Sequence, residues 1–420
     1  MTTIADRADW LKDDKLQRLL AVLSQDGEEA RIAGGAVRNA LLGQPVTDVD
    51  VATTTLPDET ERRARAAGFR TVPTGKEHGT ITVIAGPQAY EVTTLRYDVE
   101  TDGRHARVAY GRDWTRDAER RDFTINALYA AADGTVIDPV GGLADLESRT
   151  LRFIGEADAR IREDYLRILR FFRFFAWYGA GRPDADGIRA CARLKDGLSR
   201  LSAERVWAEL KKLLSAPDPS RALLWMRQSG VLSTVLPETE KWGIDAIHGL
   251  VAAERDLGWP ADTMLRLAAI LPPDAVRIGG LADRLKLSKA EAGRLLAWAH
   301  TALPPAATGD AALRKLVYRH DRQGLEDRAR LALASSRAAA HERDTALVEA
   351  GGHARHLRML ETWQKPALPI DGNDLLALGL SRGARLGDVL RKLDDAFVES
   401  DFTLGRDALL ERAAELVGED

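Results

Sequence analysis

The chain is poor in cysteine. Cys191 is the only one in 420 residues, which excludes an intramolecular disulfide and a cysteine-based zinc cluster. It also lacks any uninterrupted apolar run of the length a bilayer-spanning helix needs, so no membrane segment is expected. The opening residues Met1-Thr-Thr-Ile-Ala-Asp-Arg-Ala-Asp show no basic stretch leading into an apolar core. No secretory signal is read there, and cytoplasmic residence is the expectation. A general excess of positive charge is missing too: 60 Lys and Arg against 64 Asp and Glu leave a net charge of −4. Any nucleic-acid contact must therefore come from a local patch rather than from the average surface. What remains, 45% hydrophobic and 30% charged residues, is the composition of an ordinary soluble protein, long enough for more than one domain.

Two stretches carry chemistry. In Arg31-Ile-Ala-Gly-Gly-Ala-Val-Arg-Asn-Ala-Leu-Leu-Gly43, an apolar lead-in, the Gly34-Gly35 turn and a helix-favouring run offer backbone N–H groups and a positive helix end to a phosphate. Shortly after, Val46-Thr-Asp-Val-Asp-Val-Ala52 reads as extended, which points Asp48 and Asp50 to one face. Two adjacent hard oxygen ligands suit Mg²⁺ bridging nucleotide phosphates. Each piece alone has an ordinary explanation, a common turn and a solvated strand face. Their order and spacing make the nucleotidyltransferase pattern.

Helical spacing is expected from Asp9 to Leu23 and from Pro57 to Ala67, and strands at 69–72, 79–84 and 90–95, giving a small mixed sheet with helices against it. Glu91 on the last strand is either a third carboxylate or a solvent-facing residue. The segment Tyr97 to Thr115 is polar with little periodicity and reads as a loop. In Glu119-Arg-Arg-Asp-Phe-Thr-Ile-Asn-Ala-Leu128, Arg121 offers planar donors to phosphate and Asp122 an acceptor to a ribose hydroxyl, or the group is a surface salt-bridge cluster. In Glu163-Asp-Tyr-Leu-Arg-Ile-Leu-Arg-Phe-Phe-Arg-Phe-Phe-Ala176, Asp164 and Arg167 stand three apart on an expected helix and share a face with Arg170. A carboxylate and a guanidinium side by side read a base edge without a template; the alternative is a surface ion pair. From Ser202 onward the pattern is almost wholly helical. Ser202 is read as a cap, one long helix is expected over Glu326 to Ala350, and the end reads as two short helices, a turn and a helix through Leu416.

Taken together, these elements resemble the bacterial-type (class II) tRNA nucleotidyltransferases, or CCA-adding enzymes, and the related bacterial poly(A) polymerases. The resemblance rests on Gly-Gly-Ala-Val-Arg38, Asp48/Asp50, Gly79-Thr-Ile-Thr-Val, Glu91-Val-Thr-Thr-Leu-Arg96, Arg120-Arg-Asp-Phe-Thr-Ile-Asn-Ala127, Asp138-Pro-Val-Gly-Gly142 and Glu163-Asp-X-X-Arg167, and it covers roughly the first half of the chain. It implies an α+β polymerase-β-like head with a mixed sheet (1–155), then an all-α neck that recognises the base (156–235), and a body (236–365) and tail (366–420) that bind tRNA. Carried over, Asp48 and Asp50 would hold Mg²⁺ and activate the RNA 3′-hydroxyl. Gly35 and Arg38 would hold the triphosphate, with Arg121 assisting and Asp122 near the ribose. Asp164 and Arg167 would pair with the base, and Arg170 and Arg173 would complete the nucleotide pocket. Asn39 stands where the family often has Asp, and Phe175-Ala-Trp-Tyr is bulkier than the usual run.

The leading expectation is addition of C-C-A to tRNA from CTP and ATP by a monomer or homodimer. Poly(A) polymerase or A-only or CC-only addition is the alternative within the same head. A non-catalytic RNA-binding protein with idle carboxylates is the alternative from another class.

Overall fold

The first helix starts where an aspartate caps it. The Asp13 carboxylate accepts from the amides of Lys15 and Leu16, both at 3.0 Å, and opens α1 (Asp14–Leu23). Asp9–Lys12 form a separate 3₁₀ turn, so the continuous helix expected from Asp9 is broken at the cap. Leu16, Leu19, Leu20 and Leu23 make the buried stripe. The computed structural model describes residues 2–102, 105–240 and 242–418. The chain divides into two units, Met1–Pro237 and Glu238–Asp420.

In the first unit the chain runs through β1 (Ala30–Ala33), α2 (Gly35–Leu41), β2 (Asp50–Thr53), α3 (Pro57–Ala66), β3 (Arg70–Gly75), β4 (Thr80–Ala85) and β5 (Gln88–Thr94). Then come β6 (Arg96–Asp102), β7 (His105–Tyr110), α4 (Trp114–Glu119), β8 (Tyr129–Ala130) and β9 (Val136–Ile137). Seven strands form one mixed sheet in the order β3-β4-β5-β2-β1-β8-β9, with β2 and β5 parallel. The pairing places Ala33 opposite Asp50 and Asp50 opposite Glu91. The residue before the Gly34 turn and two carboxylates thus stand in one row. β2 begins at Asp50 rather than Val46, so Asp48 precedes the strand.

The segment expected as a loop after Tyr97 is instead a two-stranded hairpin. β6 and β7 pair antiparallel from Arg96↔Tyr110 to Asp102↔His105. Residues 103 and 104 of that segment lie outside the described residues. The alternation in Arg-Val-Ala-Tyr110 is short and diluted by charged neighbours, which hides the strand period in the sequence.

Helices α5 (Gly142–Glu147), α6 (Ala157–Glu163), α7 (Leu166–Tyr178), α8 (Ala185–Leu194), α9 (Ala203–Leu214), α10 (Ser220–Gln228) and α11 (Val231–Val235) complete the unit. Ser202 caps α9 by accepting from the Arg205 amide, as the sequence indicates. An aromatic cluster ties α7 to the sheet-bearing part. Phe171 stacks on Phe153 with centroids 5.3 Å apart, and Phe123 packs on Phe153, Phe171 and Phe174.

The second unit is helical: α12 (Ala246–Leu257), α13 (Thr263–Ala269), α14 (Ala275–Leu285), α15 (Lys289–His300), α16 (Asp310–Arg319), α17 (Arg322–Ala339), α18 (Asp344–Thr362), α19 (Gly372–Ala377), α20 (Ala384–Glu399) and α21 (Arg406–Gly418). The long helix expected over Glu326 to Ala350 is two, broken between Ala339 and Asp344. Near the end, α20 is a full 16-residue helix rather than a short one. Leu313, Leu325, Leu333 and Leu360 belong to one core, and Leu375, Leu393, Phe397 and Leu409 to another. Between α12 and α13 the buried Arg266 and Glu254 pair at 2.6 Å.

Phe171→Ala removes a fully buried ring from the cluster under α7. Denaturant unfolding is expected to show a loss of about 3–5 kcal/mol, the cost of a Phe-sized cavity. A loss below about 1 kcal/mol would mean that the cluster does not hold the helix in place.

Candidate active site

Gly34 turns the chain from β1 into α2 at φ +64°, a backbone conformation costly for any side chain. A Cβ there would also lie 3.1 Å from a terminal guanidinium nitrogen of Arg121 and 3.3 Å from the Asn126 carbonyl oxygen. The close approach seats Arg121 against the turn. The Gly34 amide itself donates to the Leu128 carbonyl at 2.8 Å, so it is not among the N–H groups open to a phosphate.

A cleft of about 670 Å³ opens beside this turn. Of the residues predicted from sequence, Gly35, Arg38, Arg121, Asp122, Asp164, Arg167 and Arg170 line it. Arg96, Arg120, Asn126, Phe174 and Arg205 line it as well. Seven arginines against two aspartates make it strongly cationic in a chain of net charge −4. That is the local patch the average charge conceals, and it suits a polyphosphate.

The donors and acceptors are held by one another. Buried Asp122 accepts from Arg170 at 2.7 Å and 2.6 Å, and its other oxygen accepts from the Phe123 amide at 2.9 Å and the Asn126 side chain at 3.0 Å. Burial by itself pushes this carboxyl up, but the Arg170 guanidinium, the Asn126 amide and the Arg167 charge together hold it below the usual carboxylate range. Arg121 pairs with buried Asp117 at 3.2 Å, and Asp117 also accepts from the Tyr129 hydroxyl at 2.7 Å. Arg38 is buried; it donates to the Asn126 side chain, to Asn39 at 2.9 Å and to the Tyr178 hydroxyl at 2.8 Å. Burial draws its pKa below the usual arginine value.

The expected Asp164–Arg167 helix face is not regular. α6 ends at Glu163 and α7 begins at Leu166, with Asp164 extended between them at φ −155°. Their side chains do not pair, although the Arg167 amide donates to the Asp164 carbonyl at 3.0 Å. Asp164 accepts from the Leu166 amide at 3.1 Å and from Arg205 of α9 at 2.7 Å, while Arg167 donates to the Arg160 carbonyl at 3.0 Å and to Glu163. Each is thus oriented separately, and both face the cleft. Arg205 lies 41 positions from Asp164, and no local spacing points to it. Arg173 does not line the cleft; it pairs with buried Glu209 at 2.9 Å.

Asp48 and Asp50 also lie outside the cleft lining. Asp50 opens to solvent at the head of β2, yet the protein packed around its carboxyl, then the Glu91 charge, raises its pKa; Arg121 pulls the other way and Asp48 adds to the rise. The acidic row and the cationic cleft therefore meet at Arg121. Anion binding beside a row of hard oxygen ligands is the arrangement that group transfer from a polyphosphate calls for.

Residues 30–152 match the family described as Poly A polymerase head domain, and 184–242 that described as Probable RNA and SrmB- binding site of polymerase A. The chain is 36% identical over 406 residues to the mitochondrial CCA tRNA nucleotidyltransferase 1 of Danio rerio, covering 94% of this chain and 90% of that one. It belongs to the CCA tRNA nucleotidyltransferase family. Among bacterial members, the CCA-adding enzyme of Geobacillus thermodenitrificans is 42% identical over 221 residues, 52% of this chain and 53% of that one. A crystal structure of the Bacillus stearothermophilus CCA-adding enzyme in complex with CTP superposes with a TM-score of 0.72 at 26% identity, covering 99% of this chain and 98% of that one. Membership implies that this nucleotidyltransferase uses a divalent metal.

The Asp122–Arg170 pair sets a pH signature. Asp122 titrates below its unfolded value, so the stability it contributes is complete above the ordinary carboxylate range and is lost as pH falls through the depressed folded value. In Arg170→Leu the guanidinium is gone and burial dominates. Unfolding at neutral pH is expected to show a deficit of about 3–5 kcal/mol against wild type, narrowing toward about pH 4 as the carboxyl protonates. A deficit independent of pH would show that the pair does not carry it.

Proposed function

We propose that this chain adds C-C-A to tRNA 3′ ends from CTP and ATP by Mg²⁺-dependent nucleotidyl transfer, in the cytoplasm, with no nucleic-acid template. The observation that carries the reading is the juxtaposition at Arg121: a cleft lined by seven arginines on one side, and the Asp50–Glu91 row with Asp48 on the other. No helix among the described residues is long and apolar enough to cross a membrane.

The carboxylates fit a divalent cation. Asp50 is raised by burial and by two neighbouring negative charges, an excess a cation relieves. Among the described residues no three His, Cys, Asp or Glu side chains converge into a ready cage. Mg²⁺ suits such an open set, since it takes one or two carboxylates and completes its shell with water and substrate phosphate. When bound by Asp48 and Asp50, it supplies a lowered pKa for the RNA 3′-hydroxyl and charge relief at the α-phosphate.

The protein's own groups divide the remaining work. Gly35 at the turn, with Arg38 and Arg121, holds the triphosphate, and Arg38 also braces the wall through Tyr178. Asp122, fixed by Arg170, accepts from the ribose. Asp164 and Arg167 present an acceptor and a donor to the base edge, each anchored by a different partner, Arg205 and Glu163. The 3′-oxygen attacks the α-phosphorus, the bond to the β-phosphate oxygen breaks, and pyrophosphate leaves with the charge the arginines stabilise.

Purified protein given tRNA lacking its terminal C-C-A should incorporate cytidine from CTP alone and reach full C-C-A with ATP added. Asp48→Ala and Asp50→Ala should each lower incorporation of both nucleotides by at least about a thousandfold while tRNA binding persists. Adenosine incorporation without cytidine would assign poly(A) or A-only activity instead. Unchanged turnover in either variant would remove the carboxylates from the mechanism.

A further inference from the structure

Beside the nucleotide cleft lies a smaller cavity of about 210 Å³, bounded by Arg38, Arg173, Phe174, Trp177, Tyr178 and Lys212. Arg38 and Phe174 line both spaces, so the two share a wall. The wall is already saturated. Arg38 lies 4.0 Å from the centroid of Tyr178, and Arg173 lies 4.3 Å from that of Phe174 while pairing with Glu209.

Trp177 differs from the other two aromatic residues. Its indole N–H donates to the Lys212 carbonyl at 2.8 Å, which fixes the plane of the ring. The Tyr178 ring stands tilted 6.5 Å away, and no guanidinium or ammonium stacks on Trp177 among the described residues. A rigid, half-buried aromatic face is left looking into the cavity. At the rim, Lys212 is exposed and its ammonium has no carboxylate partner among the described residues. Such a face beside an unpaired cation is the arrangement by which proteins hold single-stranded RNA, stacking the base and meeting the phosphate.

We propose that this cavity receives one unpaired base of the RNA substrate, stacked on Trp177, with the Lys212 ammonium on the adjoining phosphate. The inference rests on the reading that the substrate is tRNA, whose 3′ end is single-stranded. At about 210 Å³ against about 670 Å³ for the cleft, the cavity suits one base better than a whole nucleoside triphosphate. The wall shared with the cleft puts the held base next to the incoming nucleotide.

The test is equilibrium binding of tRNA transcripts ending before C-C-A, after the first C and after the second, each with a single abasic site placed in turn at the unpaired 3′ positions. At one position the abasic site should weaken binding to the unsubstituted protein about tenfold, the scale of one base–aromatic contact. Trp177→Ala should bind intact RNA about tenfold more weakly and be indifferent to the abasic site at that position. Trp177→Phe, which keeps an aromatic face without the N–H, should stay near the unsubstituted protein. Lys212→Met should lower the salt dependence of binding by about one counterion. CTP affinity measured without RNA should be unchanged in all three, which separates the effect from misfolding. The proposal is overturned if Trp177→Ala loses nothing, if it loses the same factor on intact and abasic RNA at every position, or if its CTP affinity falls in step. The expected binding pattern in a protein that incorporates no cytidine would support the base site and contradict the proposed activity.

Discussion

A carboxylate shut away from water keeps its charge only beside a cation, and Asp122 meets that condition with Arg170 at 2.6 Å. The two belong to different parts of the first unit, one following α4 and the other on α7. Their pairing fixes where α7 lies relative to the strands. Phe123, the next residue, packs into the Phe153–Phe171–Phe174 cluster, so the polar and apolar contacts pull the same helix to the same place. Everything the cleft presents from α7, Arg167 and Phe174 included, depends on that placement.

On the proposed reading, the chemistry and the choice of base occupy different elements. The sheet contributes acid, with Asp50 and Glu91 in register beside the Gly34 turn. The helices contribute the groups we propose for recognition, Asp164 and Arg167 at the junction of α6 and α7. Arg121, pressed against Gly34 and paired with Asp117, stands between the two fields. Such a division lets one phosphoryl-transfer site serve whichever nucleotide the helical wall admits.

Much of this was legible in the sequence where the signal is local. The Gly34-Gly35 turn, the mixed sheet, α3 and the Ser202 cap follow from glycine, β-branched runs and capping side chains. The Asp48/Asp50 pair was visible as a pattern, although only Asp50 lies in the strand. What stayed hidden was long-range or diluted. The β6–β7 hairpin carries too short an alternation among charged residues. Arg205 reaches Asp164 from another helix, and Asp122 finds Arg170 across 48 positions. Arg173 shares the helical spacing of Arg167 and Arg170, and only the packing of α7 on α9 turns it to Glu209 instead of the cleft. Spacing along one helix tells which side chains travel together, not which neighbour each will meet.

We propose that Arg167 helps select the base while other groups perform the transfer. The direct test is kcat/KM for CTP and for UTP on tRNA lacking C-C-A, measured for the unsubstituted enzyme and for Arg167→Ala. The CTP-to-UTP ratio is expected to fall by about 10- to 100-fold in Arg167→Ala, the worth of one bidentate contact to a base edge. A loss that falls on both nucleotides equally, leaving the ratio unchanged, would contradict it.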